Sequence, residues 1–221
     1  MCKKIRTRRL ILHMDRPFRG DGSDLRRAVT GVFPDNPVLH NHAREGCKYG
    51  APLVRFLVQD GLPQMMAVGD GVPVLESIRD EIATLRVFSQ VYQVTGWDMH
   101  DCLSTYGMAG HELVYGFLSP WLALNEMNYR KYIRSGSPEK RKILLGTILV
   151  GNIISMSKGF QYSVPDRVNA RIIFTDEVET KLKGTPFLGF VGAFSANFEI
   201  PDYWGIGKSV SRGFGTIKRM D

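Results

Sequence analysis

Branched apolar residues run through Arg8–Met14 in a short strand pattern that Arg16-Pro17 ends, because proline blocks further ladder pairing. The next apolar positions, Leu25, Ala28, Val29 and Val32, recur at helical spacing. Ser23 or Asp24 stands where a cap is needed and Pro34 stops the helix. Pro34–Gly50 has no periodicity and reads as an exposed loop. Leu53–Val58 and Gln64–Val68 then form two strands around Asp60-Gly61, a hairpin signal. Pro73 opens a helix whose apolar face is Val74, Leu75, Ile78, Ile82 and Leu85, and Val87–Val94 follows as a strand. Strand, helix, strand, strand, helix, strand is the order of a ferredoxin-like unit, one sheet covered on one face by two helices.

The remainder repeats this order in part. Glu112–Leu118 is a strand, and Pro138–Met156 a long helix with Ile143, Leu144, Ile148 and Ile153 inward. Arg171–Phe174, Phe187–Ala193 and Thr216–Arg219 are further strands, while Phe198–Gly205 leaves room for a turn and not for a second helix. The pattern predicts an α+β chain of two tandem ferredoxin-like (RRM-like) halves, the second abridged. The domains expected are residues 1–96 and 111–221, connected through Gly96–Gly110.

Composition narrows the function. With 221 residues and 43% hydrophobic content the chain fills a core without staples. Three cysteines and no CxxC pair argue against a disulfide framework or a cysteine-rich metal site, which points to a reducing, cytoplasmic setting. No apolar run reaches the roughly 18 residues of a membrane span, so no membrane partner is expected. The net charge of +7 favours a polyanion, since bound lysines and arginines release its counterions. Basic residues cluster in Lys3–Arg27, in Arg130–Lys142 and in Lys208–Arg219, whereas Glu76–Glu112 leans acidic.

The most informative segment is Gly205-Ile206-Gly207-Lys208-Ser209-Val210-Ser211-Arg212-Gly213-Phe214-Gly215. Paired glycines around a basic insert can present backbone amides and cations to phosphates. A Walker loop would need glycine where Asp202 stands, and a dinucleotide fingerprint would need glycine at Val210 and a helix afterwards. ATP and NAD are therefore not the expected ligands. The two Gly-hydrophobic-Gly units five residues apart near the C-terminus resemble the signature loop of the RAMP superfamily of CRISPR proteins. Leu39-His40 and the polar loop leading to Lys48 are similar to its repeat-processing endoribonucleases.

That resemblance implies a metal-independent reaction in which a ribose 2′-OH attacks the adjacent phosphate, leaving a 2′,3′-cyclic phosphate and a free 5′-OH. Such a reaction needs a base, an acid and cationic or amide donors for the charge developing on phosphorus. His40 matches the family's catalytic histidine and Lys48 its lysine, with His42 a competitor in the same loop. The tyrosine found in some members' first helix falls near Thr30, so that part of the constellation is missing or supplied by Tyr49. RNA is expected in a groove between the halves, on Arg26, Arg27, Gly205, Gly207, Lys208, Ser209, Arg212, Gly213 and Gly215, with Lys140–Lys142 nearby. A zinc site from His40, His42 and Cys47 lacks a fourth ligand, and no cofactor is expected. The implied partners are CRISPR repeat RNA, other effector subunits and a second copy of the chain. Two other readings stand beside the enzyme: a non-catalytic RAMP subunit that binds guide RNA, and a general RRM-type module. The strands lack the aromatic signature of the latter.

Overall fold

The computed structural model describes residues 2–40, 51–182 and 184–220. The chain divides into two units. The N-terminal unit comprises Lys4–Ser104 with Val210–Gly213, and the C-terminal unit Met1–Lys3, Thr105–Ser209 and Phe214–Asp221.

In the N-terminal unit the elements are β1 (Lys3–Met14), α1 (Gly22–Val32), α2 (Pro37–His40), β2 (Val54–Gln59), β3 (Leu62–Val68), α3 (Val72–Ile78), β4 (Thr84–Val87) and the first part of β5 (Gln90–Phe117). Its strands lie in the order β2-β3-β1-β5, with β4 paired to β5. The β2–β3 hairpin turns at Asp60 and Gly61, both at positive φ as a tight two-residue turn requires. Leu25, Ala28 and Val29 of α1 and Val72, Leu75 and Ile78 of α3 are buried. They share a core with Leu10, Leu12, Phe56, Met65 and Tyr92. Each such aliphatic side chain contributes roughly 1.5–3 kcal/mol on burial.

The C-terminal unit continues with the rest of β5, then α4 (Glu126–Arg134), α5 (Pro138–Gly159), β6 (Ala170–Leu182), β7 (Thr185–Glu199) and β8 (Ile217–Met220). Tyr115 pairs with Phe194 of β7 and with Arg219 of β8, which puts those strands on opposite sides of β5. The order is therefore β8-β5-β7-β6, which repeats the β5-β1-β3-β2 order of the N-terminal unit apart from the added β4. What differs is the last crossover. Where the first unit has α3, the second has residues 200–216, which hold one 3₁₀ turn at Val210–Arg212 and the glycine-rich segment. Leu145, Leu149, Ile153 and Met156 of α5 are buried. Tyr106 is edge-on to Phe160, Tyr162 and Phe198, and its hydroxyl lies 3.0 Å from Ser157 Oγ.

Several expectations need correcting. The connecting segment Gly96–Gly110 is continuous strand within β5, where Gly107 is needed because a Cβ there would lie 2.6 Å from the Tyr162 hydroxyl, at φ 126°. Pro34–Gly50 is not wholly irregular, since Asn36 Oδ1 accepts from Val38 and Leu39 and starts the short α2. α3 stops at Ile78, and Leu85 belongs to β4. α1 is capped by Asp21 in place of Ser23 or Asp24. On α5, Ile143 is 70% exposed, and the buried stripe runs through Leu145 and Leu149. α4 was not expected at all.

Candidate functional site

The first turn of α1 is fixed by a capping box. Asp21 Oδ1 accepts from the amides of Ser23 at 2.7 Å and Asp24 at 2.9 Å, and Asp24 Oδ2 accepts from Asp21 N at 3.2 Å. The next requirement is space. A Cβ on Gly22 would lie 2.5 Å from the carbonyl oxygens of both Arg212 and Phe56, so only glycine lets the 3₁₀ turn Val210–Arg212 sit against α1 and β2. Gly213 ends that turn at φ 90°, its amide donating to Val210 O at 3.2 Å. A Cβ on Gly213 would lie 2.8 Å from Phe56 O.

This seat brings Arg212 to Arg26. The Arg26 Nη2 donates to the His40 carbonyl at 2.6 Å, and Nε is buried with no partner among the described residues. Burial, and after it the positive charge of Arg212, holds the Arg26 guanidinium below its ordinary pKa. Among the described residues neither guanidinium has an ion pair with a carboxylate. His40 ends α2 with Nε2 at 3.3 Å from Phe33 O. A carbonyl only accepts, so in this contact Nε2 is the donor. Two like charges with no carboxylate partner among the described residues form a pair whose charge a phosphate could neutralise.

The other expected residues fall elsewhere. Arg27 is exposed and pairs with Asp24 at 3.4 Å on α1 itself. His42, Cys47, Lys48 and Tyr49 lie outside the described residues. Thr30 donates to Arg26 O at 2.8 Å, so its hydroxyl serves the helix backbone. Arg141 donates to Ser135 O and stacks on Tyr132, and Lys142 donates to Ile173 O.

Gly205, Gly207, Lys208, Ser209 and Gly215 belong to the C-terminal unit. Gly207 and Gly215 sit at φ 94° and 60°, and Cβ atoms there would meet Trp121 Nε1 at 2.6 Å and Ile206 O at 2.0 Å. Gly205 bridges to Thr216. The amides of Ile206, Lys208 and Gly215 donate to Gly215 O, Leu122 O and Pro120 O. Together with Gly213, these amides are committed to protein carbonyls, so the expected amide cradle is reduced and cationic side chains are the main candidates for phosphate. Lys208 Nζ lies over the Phe187 ring at 4.8 Å, in a groove that Glu126, Glu177 and Glu179 also line. The residue that sequence reasoning missed is Gly22. Asp21-Gly22-Ser23-Asp24 announces a helix start, but nothing local announces a partner from the far end of the chain.

Two ferredoxin-like units of equal strand order, the second closed by a glycine-rich crossover, define a RAMP-type CRISPR protein. The Cas6b N-terminal domain profile matches residues 3–102 and the Cas6b C-terminal domain profile residues 107–220. The chain belongs to the Cas6b family. A crystal structure of Cas6b matches with TM-score 0.87 and 32% identity over 99% of this chain and 100% of that one. The crystal structure of the CRISPR RNA processing endoribonuclease Cas6b matches with TM-score 0.77 and 31% identity, covering 98% of this chain and 100% of that one. An uncharacterised protein of Methanocaldococcus jannaschii is 41% identical over 140 residues, 63% of this chain and 95% of that protein.

Proposed function

We propose that this chain is an endoribonuclease that binds CRISPR repeat RNA and cuts precursor transcripts into guide RNAs by attack of a ribose 2′-OH on the adjacent phosphate. The observation that carries the reading is the Arg26–Arg212 pair beside His40, in a member of the Cas6b family. The two guanidiniums hold the scissile phosphate and offset the charge that builds on its oxygens as the 2′ oxygen bonds to phosphorus. The 5′ oxygen leaves with a proton, giving a 2′,3′-cyclic phosphate and a 5′-OH. His40 transfers one of the two protons, since an imidazole can serve as acid or base, and no metal is required. The second proton-transfer group belongs to the segment with His42, Lys48 and Tyr49. The likeness to a solved CRISPR RNA processing endoribonuclease supports the substrate class.

The test is single-turnover cleavage of cognate repeat RNA in EDTA. Product is expected with the ribose substrate and none with a 2′-deoxy nucleotide at the scissile position. His40→Ala should slow cleavage by roughly 10²-fold or more. Cleavage of the deoxy substrate would overturn the mechanism. Tight binding with no product at any excess of protein would replace it by the non-catalytic RAMP subunit, the reading that Thr30 in the expected tyrosine position favours.

A further inference from the structure

Two clefts among the described residues of the C-terminal unit are large enough for a ligand and differ in the charge of their linings. One lies beside α4, about 780 Å³, and carries the carboxylates Glu126, Glu177 and Glu179, which repel a polyanion. The other lies between α5 and the start of β6. It measures about 430 Å³, within the 300–1,000 Å³ common for small-ligand sites, and no carboxylate lines it. Gly146 allows this geometry, because its bare α-carbon lets α5 approach β6 until a Cβ would stand 3.3 Å from Ala170 O.

Three cations face the cleft: Lys142, Arg167 and Arg171. Lys142 donates to Ile173 O at 3.3 Å and Arg171 to Glu112 at 3.0 Å, so both are partly engaged. Arg167 has no side-chain partner among the described residues. Asn169, next to it, uses its backbone in bonds to Asn197 and keeps its amide side chain available. The α5 wall carries Ile143, Thr147 and Val150 beside Lys142, and Ile143 is 70% exposed, so its side chain is open to a ligand. Cations from both walls, an amide able to read a base edge and an exposed aliphatic side chain have the chemistry of a nucleotide subsite.

We propose that this cleft takes one nucleotide of the repeat RNA outside the cleavage site, its phosphate on Arg167 and Lys142 and its base on Ile143 and Asn169. The inference rests on the RNA-binding reading above. It does not involve His40, Arg26 or Arg212.

The experiment is fluorescence anisotropy of the full chain with cognate repeat RNA at several salt concentrations. Arg167→Ala should weaken binding about 5- to 10-fold and lower the slope of log affinity against log salt by roughly 0.7–0.9, one phosphate contact. Ile143→Asp, at an exposed position where folding is insensitive, should weaken binding by a similar factor. Melting temperatures equal to wild type show that neither loss is unfolding. RNA carrying 5-bromouridine should crosslink to the peptide containing Ile143. Adenosine monophosphate serves as the probe for a free nucleotide: micromolar binding of it alone would overturn the RNA assignment. Unchanged affinity and slope in both variants would overturn the cleft. Cleavage that depends on His40 with no effect at Arg167 defeats this inference alone. An Arg167 effect without cleavage defeats only the catalytic reading.

Discussion

Gly22 and Gly31 are both in α1, and the same added methyl group should act oppositely on them. At Gly22 it would collide with the Arg212 and Phe56 carbonyls at 2.5 Å, whereas at Gly31 nothing lies within 4 Å. Gly22→Ala should therefore cost about 1–3 kcal/mol and unseat the Val210–Gly213 turn, weakening RNA binding with it. Gly31→Ala should instead gain up to about 1 kcal/mol from helix propensity. Denaturant midpoints of the two variants check this, and equal shifts would contradict the seat. At this scale the sequence showed Arg26, Arg212 and His40 as candidates because their chemistry is local. It did not show that Arg27, one position on, points to solvent, nor that the loop's amides already serve carbonyls such as Pro120 O and Leu122 O.

Among the elements, the strand β5 carries a titration that pH should expose. Tyr115 donates to Phe198 O at 3.0 Å and accepts from Ile200 N at 3.1 Å, and burial pushes its pKa up to about 12. Its ordinary value is about 10, so the folded state favours the neutral phenol. That stabilisation is complete below pH of about 10 and is lost as pH rises toward about 12, a change of order 2–3 kcal/mol. Tyr115→Phe should lower stability at neutral pH and flatten the alkaline fall. A fall of unchanged steepness in urea titrations between these pH values would contradict it. Elements with a single dry face were legible: Leu25, Ala28 and Val29 mark α1 by spacing alone. α5 was legible as a helix but not as a face, because Ile143, Leu144, Ile148 and Leu149 surround it with apolar side chains. α4 was hidden by its polarity, since it buries only Tyr132; its signals were the Asn125 cap and the Glu126–Arg130 pair one turn apart.

For the whole molecule, the sequence predicted the doubled ferredoxin-like order and the missing helix of the second half. It did not predict that four residues of the glycine-rich crossover, Val210–Gly213, belong to the N-terminal unit, a pairing of positions distant in the chain. That return accounts for Gly213, whose Cβ would meet Phe56 O, and it delivers Arg212 to Arg26. The account rests on those two guanidiniums holding an RNA phosphate. The direct measurement is the salt dependence of repeat-RNA affinity for the wild-type chain and for the double variant Arg26→Gln, Arg212→Gln. The slope should fall by about 1.4–1.8, the share of two phosphate contacts, with affinity at least 10-fold weaker. A slope and affinity equal to wild type, in a variant that melts normally, would contradict the account.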